Sequence, residues 1–157
     1  MAKDRQRTWG PEEVERVGQM IRDFVPHNRA LGIEVVRIHM TEVWTKLPWA
    51  PHLVGDPIRG ILHGGAISTL TDATCGLAIM ARLGRPSNIA TLDLRIDYLK
   101  PAKAEQAVYA WASCFKVTRS VCFVRGGASL VLPEPGAALP DDALVASVAG
   151  TFARKSG

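Results

Sequence analysis

Between Arg59 and Arg82 the chain carries no lysine or arginine and one acid, Asp72. Around that acid stand Ile67, Leu70, Leu77, Ile79 and Met80, spread about a helical wheel rather than along one stripe. A helix of this kind has no wide solvent face, so other elements must cover it. His63-Gly64-Gly65 marks its start at about Gly64.

The second half supplies the cover. From Asn88 to Lys100, Leu92, Leu94, Ile96 and Tyr98 alternate with Asp93, Arg95 and Asp97, the period-two pattern of a strand with one buried face. Gln106–Thr118 and Val121–Leu132 follow around a tight turn at Arg119 and Ser120, with Gly126-Gly127 expected to form a bulge. The last strand, Leu144–Arg154, puts Leu144, Ala146, Val148 and Phe152 on one face. Upstream, a disordered start gives way at Gly10-Pro11 to a helix striped by Val14, Val17, Ile21 and Phe24 and ended by Pro26. Strands Ala30–His39 and Thr41–Leu47 then pair as a hairpin, and Pro48–Gly60 is a loop. One long apolar helix among five or six mostly antiparallel strands is an α+β fold. The chain divides into an N-terminal extension and helix, residues 1–29, and a single domain, residues 30–157.

Composition narrows the function. With 157 residues, 47% hydrophobic and 22% charged, the chain is one globular domain. No apolar run approaches the roughly 20 residues needed to span a bilayer, and the N-terminus has no apolar leader, so a cytoplasmic protein without a membrane partner is expected. Cys75, Cys114 and Cys122 lie in apolar segments without metal-ligand spacing, so reduced core thiols and no metal are expected. The net charge of +4 suits an anionic ligand, but the basic residues form no stripe, which argues against nucleic acid.

A carboxylate among aliphatics is costly to bury and marks functional sites more often than chance. Its structural alternative is an aspartate satisfied by the Ser68 or Thr71 hydroxyls. The unpaired N–H groups of a helix start at Gly64 and Gly65 can hold an anion or a developing oxyanion. Gly64 and Asp72 lie roughly 12 Å apart along one helix and cannot address one carbonyl. Two copies packed antiparallel about a two-fold axis would bring Gly64 of one toward Asp72 of the other.

The run DPIRGILHGGAISTLTDATCG followed by ATLDLRIDYLKPA resembles the PaaI-like branch of the hotdog-fold acyl-CoA thioesterases, over about residues 30 to 155. The likeness lies in H-G-G, the acid nine residues after the histidine, and Y-L-x-P-A. It implies an antiparallel sheet wrapped around a central helix, a homodimer pairing into a homotetramer, and hydrolysis of an acyl-CoA to acid and CoA without cofactor. By the same likeness Asp72 is general base or nucleophile, and the Gly64 N–H polarises the thioester carbonyl. His63 shapes the loop and Thr91 orients the water. Asp56 stands near where many relatives have asparagine, and serves as an acceptor only. Arg119 and Arg125 are the CoA-phosphate candidates, and Gly65 a further substrate contact. A non-catalytic acyl-CoA-binding hotdog module is the alternative, and a hotdog hydratase a third reading that the spacing of His27, His39 and His52 does not support. The expected pocket wall is Trp49, His52 and Leu53 on the loop with Ile67 and Leu70 on the helix, suited to an aromatic or medium aliphatic acyl group.

Overall fold

Pro11 takes the first helical position and Glu13 accepts a 3.0 Å hydrogen bond from the Gly10 N–H, so helix α1 runs Pro11–Phe24. The structure, a computed structural model, describes residues 9–103 and 105–154. The expected disordered start therefore lies largely outside the described residues. Pro26 ends α1 as expected, and it also opens a second helix that the sequence reading missed, α2, Pro26–Leu31. A proline that cannot continue one helix is preorganised for the first turn of the next. Gly32, in the left-handed region at φ 72°, closes α2 and delays the first strand to Glu34.

The strands β1 (Glu34–Ile38) and β2 (Val43–Leu47) form the expected hairpin. The stretch read as a loop holds a 3-10 turn, Pro51–Leu53, and a small hairpin of β3 (Val54–Asp56) and β4 (Ile61–Leu62). Helix α3 follows, Gly64–Leu83, then β5 (Ile89–Tyr98), β6 (Val108–Val117), β7 (Val121–Ser129) and β8 (Leu144–Arg154). Six strands make one antiparallel sheet in the order β1-β2-β6-β7-β8-β5. The α+β class and the sheet wrapped around a long helix are as expected.

Helix α3 packs on strands toward both ends of this sheet, β2 and β5 included, so the sheet curls about it. Its core face is Ile67, Leu70, Thr71, Thr74, Cys75 and Ala78, all buried. The hydroxyls on that face are satisfied by bonding back along the helix: Thr71 donates to Ile67 O at 3.0 Å and Thr74 to Leu70 O at 2.6 Å. The opposite face, Ser68, Thr69, Asp72, Ala73, Gly76 and Met80, is only half covered. It floors a seam where α1 and α2 approach β5.

Two strand details depart from expectation. Gly126 and Gly127 are not a bulge: both pair in register with β6 and β8, and a Cβ on Gly126 would fall 2.2 Å from Trp111 O. They are glycines because the backbones approach too closely for a side chain. The bulge in β5 falls between Thr91 and Asp93, and it leaves Leu92 60% exposed where a buried face was expected. Tyr98 is half exposed too. Strand β5, ten residues long, pairs among the described residues with β8 alone and presents an open edge.

Candidate active site

The α3 helix brings the carboxylate to the seam by periodicity alone. With Leu70, Thr71, Thr74 and Cys75 turned to the core, Asp72 must face the uncovered side. It is half-buried rather than sealed among aliphatics, and it lines a cavity of about 510 Å³ bounded by α1, α2, β5 and Phe152 of β8. Thr91 donates a 2.8 Å hydrogen bond to Asp72 Oδ1, so the structure does bring this sequence-predicted pair together. Neither Ser68 nor Thr71 satisfies the acid: Ser68 donates to Gly64 O at 3.1 Å, and Thr71 to Ile67 O and Ser68 O.

His63 caps α3. Its Nδ1 accepts from the Gly65 N–H at 2.9 Å, and its carbonyl accepts from Ala66 N at 3.0 Å. A Cβ on Gly65 would fall 2.9 Å from that Nδ1, which is why the cap needs glycine there. The Gly65 N–H is thus already taken. The Gly64 N–H has no partner among the described residues and is the free donor of the first turn.

Gly64 lines a different cavity from Asp72. It is about 310 Å³ and is bordered by Ile67, Tyr98 and the Leu99–Ala102 segment. Tyr98 donates from its hydroxyl to Gly64 O at 2.8 Å and lies 2.9 Å from Ser68 Oγ. A Cβ on Gly64 would stand 3.2 Å from the Tyr98 hydroxyl, so glycine admits the tyrosine. One continuous helix separates Gly64 from Asp72 by eight residues, about 12 Å.

The remaining predicted residues fall elsewhere. Asp56 Oδ1 accepts from Ile58 N and Arg59 N, both at 3.0 Å, and so builds the β3–β4 turn. Arg119 is exposed at the β6–β7 turn. Arg125 is exposed on β7 with its guanidinium over Phe115, a side of the strand opposite the buried Val124. The expected wall does not surround Asp72: Leu53, Ile67 and Leu70 are buried in the core with Trp49 against them, His52 is exposed, and of the five only Ile67 borders a cavity described above, that of Gly64.

Sequence reasoning missed His27, Ser68 and Thr69, which do line it. Thr69 donates to Gly65 O at 3.0 Å and meets His27 Nε2 at 3.2 Å, so the hydroxyl accepts from a ring N–H there. The i, i+1, i+4 spacing of Ser68, Thr69 and Asp72 was the signal available. No thiol competes as nucleophile. Burial first, then the Asp72 carboxylate, pushes the Cys75 thiol up to about 12.

The sequence pattern of the thioesterase superfamily matches residues 59–129. The medium/long-chain acyl-CoA thioesterase YigI of Escherichia coli is 32% identical over 108 residues, 60% of this chain and 70% of the relative. YigI of Salmonella typhimurium is 27% identical over 154 residues, 90% of this chain and 93% of the relative. A crystal structure from Pseudomonas aeruginosa, 36% identical, superposes with a TM-score of 0.73 over 90% of this chain and 98% of that one. The Escherichia coli PaaI protein, at 15% identity, shares the fold with a TM-score of 0.73 over 93% of this chain and 96% of its own.

Proposed function

This chain belongs to the thioesterase superfamily and is a thioesterase, and we propose that it hydrolyses acyl-CoA thioesters at a site completed by a second copy of the chain. The relatives named as medium/long-chain acyl-CoA thioesterases support that substrate class. The observation that carries the reading is the Asp72–Thr91 hydrogen bond at the mouth of an apolar cavity. Thr91 holds Oδ1, which leaves Oδ2 for a water or for the thioester carbon.

As a base, Asp72 takes a proton from water while the water oxygen adds to the carbonyl. The C–S bond then breaks, and the CoA sulfur leaves with that proton. As a nucleophile, the carboxylate adds directly, expels CoA thiolate and forms an anhydride that water opens. Both routes place negative charge on the carbonyl oxygen, and the Gly64 N–H of a second copy is the donor that meets it. The 12 Å between Gly64 and Asp72 within one chain, their separate cavities and the open β5 edge support a two-fold pair with two equivalent sites.

Release of the CoA thiol from a panel of acyl-CoAs tests the reading. Asp72→Asn is expected to lower kcat by about 10²- to 10⁴-fold with the fold intact. Equal kcat in both proteins would overturn the role of Asp72. Tight acyl-CoA binding with no turnover in the wild type would identify a binding module instead.

A further inference from the structure

Apart from Thr91, the polar side chains around Asp72 gather at one end of its cavity. Ser68 and Thr69 stand about one turn before the acid on α3, and His27 and Asn28 of α2 join them there. Three of these four have partners within the chain. Ser68 bonds to Gly64 O and lies against the Tyr98 hydroxyl, and Thr69 donates to Gly65 O while it accepts from His27.

Asn28 differs. It is 6% exposed, its carbonyl accepts from Ile33 N at 3.0 Å, and its side-chain amide has no hydrogen-bond partner among the described residues. An amide buried in that state destabilises the fold, because it has given up water and gained no partner. Nor is it sealed. Among the described residues, the side-chain atoms that are both shut off from water and unpartnered are the Trp49 and Trp111 indole nitrogens. The amide of Asn28 therefore keeps an opening, and the space that Asn28 borders is the cavity of Asp72. A group of this kind is satisfied by what enters the cavity.

We infer that Asn28 hydrogen-bonds the pantetheine amide nearest the CoA sulfur, so that the pantetheine arm runs from Asp72 back over Thr69 toward α2. The inference rests on the thioesterase reading of Asp72. With the thioester carbon at Asp72, the sulfur is one bond away and the first amide nitrogen three bonds beyond it, about 4 Å. Thr69 precedes Asp72 by three residues, a rise of about 4.5 Å, and His27 Nε2 stands 3.2 Å from its hydroxyl. The amide of the arm thus reaches the level at which α2 meets α3. The two groups also match in kind, since a carboxamide both donates and accepts, and so does the secondary amide it meets. A hydrocarbon in the same place leaves Asn28 unpaired.

The test is kcat/KM for two thioesters of whichever acyl group is best turned over as its CoA thioester. One is the N-acetylcysteamine thioester, which keeps this amide, and the other the S-pentyl thioester, which has the same length without it. The wild type is expected to favour the first about 10- to 100-fold. In Asn28→Leu, close in size and unable to hydrogen-bond, and in Asn28→Ala, that preference is expected to fall about 10-fold or more, through loss on the N-acetylcysteamine thioester. Asn28→Leu is also expected to hold or raise Tm, because it removes a buried amide that has no partner in the free protein. Circular dichroism checks each fold, and Asn28→Ala decides if Asn28→Leu does not fold. A preference unmoved in the folded variants, equal wild-type kcat/KM for the two thioesters, or turnover of neither while the CoA thioester is hydrolysed overturns the subsite and leaves the thioesterase standing. No hydrolysis of any acyl-CoA removes the thioesterase reading, and this inference with it.

Discussion

Thr91 Oγ1 donates a 2.8 Å hydrogen bond to Asp72 Oδ1, joining the open edge strand to the central helix across 19 positions of sequence. A hydrogen bond to a charged group contributes about 1.5–3 kcal/mol, so it holds the carboxylate in one orientation. Thr91→Val keeps the shape and removes the donor. It is expected to lower kcat about 10- to 100-fold with KM changed far less, and Thr91→Ser is expected to restore most of the loss. A KM change as large as the kcat change would reduce Thr91 to a packing residue.

Gly64 and Asp72 supply the second prediction, because the proposal divides them between chains. His63, with φ −65° and ψ 129°, already has the extended backbone that a following proline needs. Gly64→Pro therefore deletes the free N–H at a position where proline is tolerated, at the cost of a few tenths of an ångström from the Tyr98 hydroxyl. Alone it is expected to lose about 10²- to 10³-fold in rate, as is typical for one oxyanion donor, whereas Gly64→Ala keeps the donor and loses less. Unfolded and refolded with inactive Asp72→Ala, it should regain activity up to one working site per mixed dimer. Mixed dimers verified by mass but still inactive would refute the shared site.

The histidine that caps α3 separates stability from chemistry. His63→Ala removes the acceptor for the Gly65 N–H and should cost about 0.5–2 kcal/mol, a fall in Tm of several degrees. His63→Asn, a good cap, should recover most of that Tm and most of the activity. Recovery of Tm with activity still lost about 100-fold would give the imidazole a direct chemical part.

The cysteines predict behaviour at high pH. Burial is the first cause that raises Cys75 to about 12 and Cys114 to about 11, from an ordinary value of 9.0. With the folded values above the unfolded ones, the contribution to stability is intact below about pH 9 and is lost as pH rises through 11 and 12. Urea unfolding at pH 8, 9.5 and 10.5 should show the decline, and Cys75→Ala should flatten it. At pH 8 the folded protein should react slowly with a thiol reagent, and all three thiols should react quickly once it is unfolded.

Several errors in reading the sequence share one cause. Trp49, Leu53 and Leu70 are as apolar as any pocket wall, but a core and a pocket ask for the same side chains, and these three went to the core. The walls that do surround the acid include Ile21 of α1 and Val25 just past its end, some fifty positions upstream, whose docking no local pattern reports. Leu92 fits the alternation of a buried face, yet the bulge after Thr91 turns it outward. Pro26 was legible as a stop and equally served as a start.

The sequence by itself determined what is local: a helix too apolar to stand alone, one acid on it, and a histidine-glycine-glycine start with unpaired backbone donors. Those follow from side-chain transfer energies and backbone sterics, which act within a few residues. Tertiary structure alone decided which face of α3 stayed open, that Thr91 reaches Asp72, and that Gly64 opens on a separate cavity. Those outcomes depend on which distant segments meet. A side chain carries its own cost of burial but not the identity of what buries it.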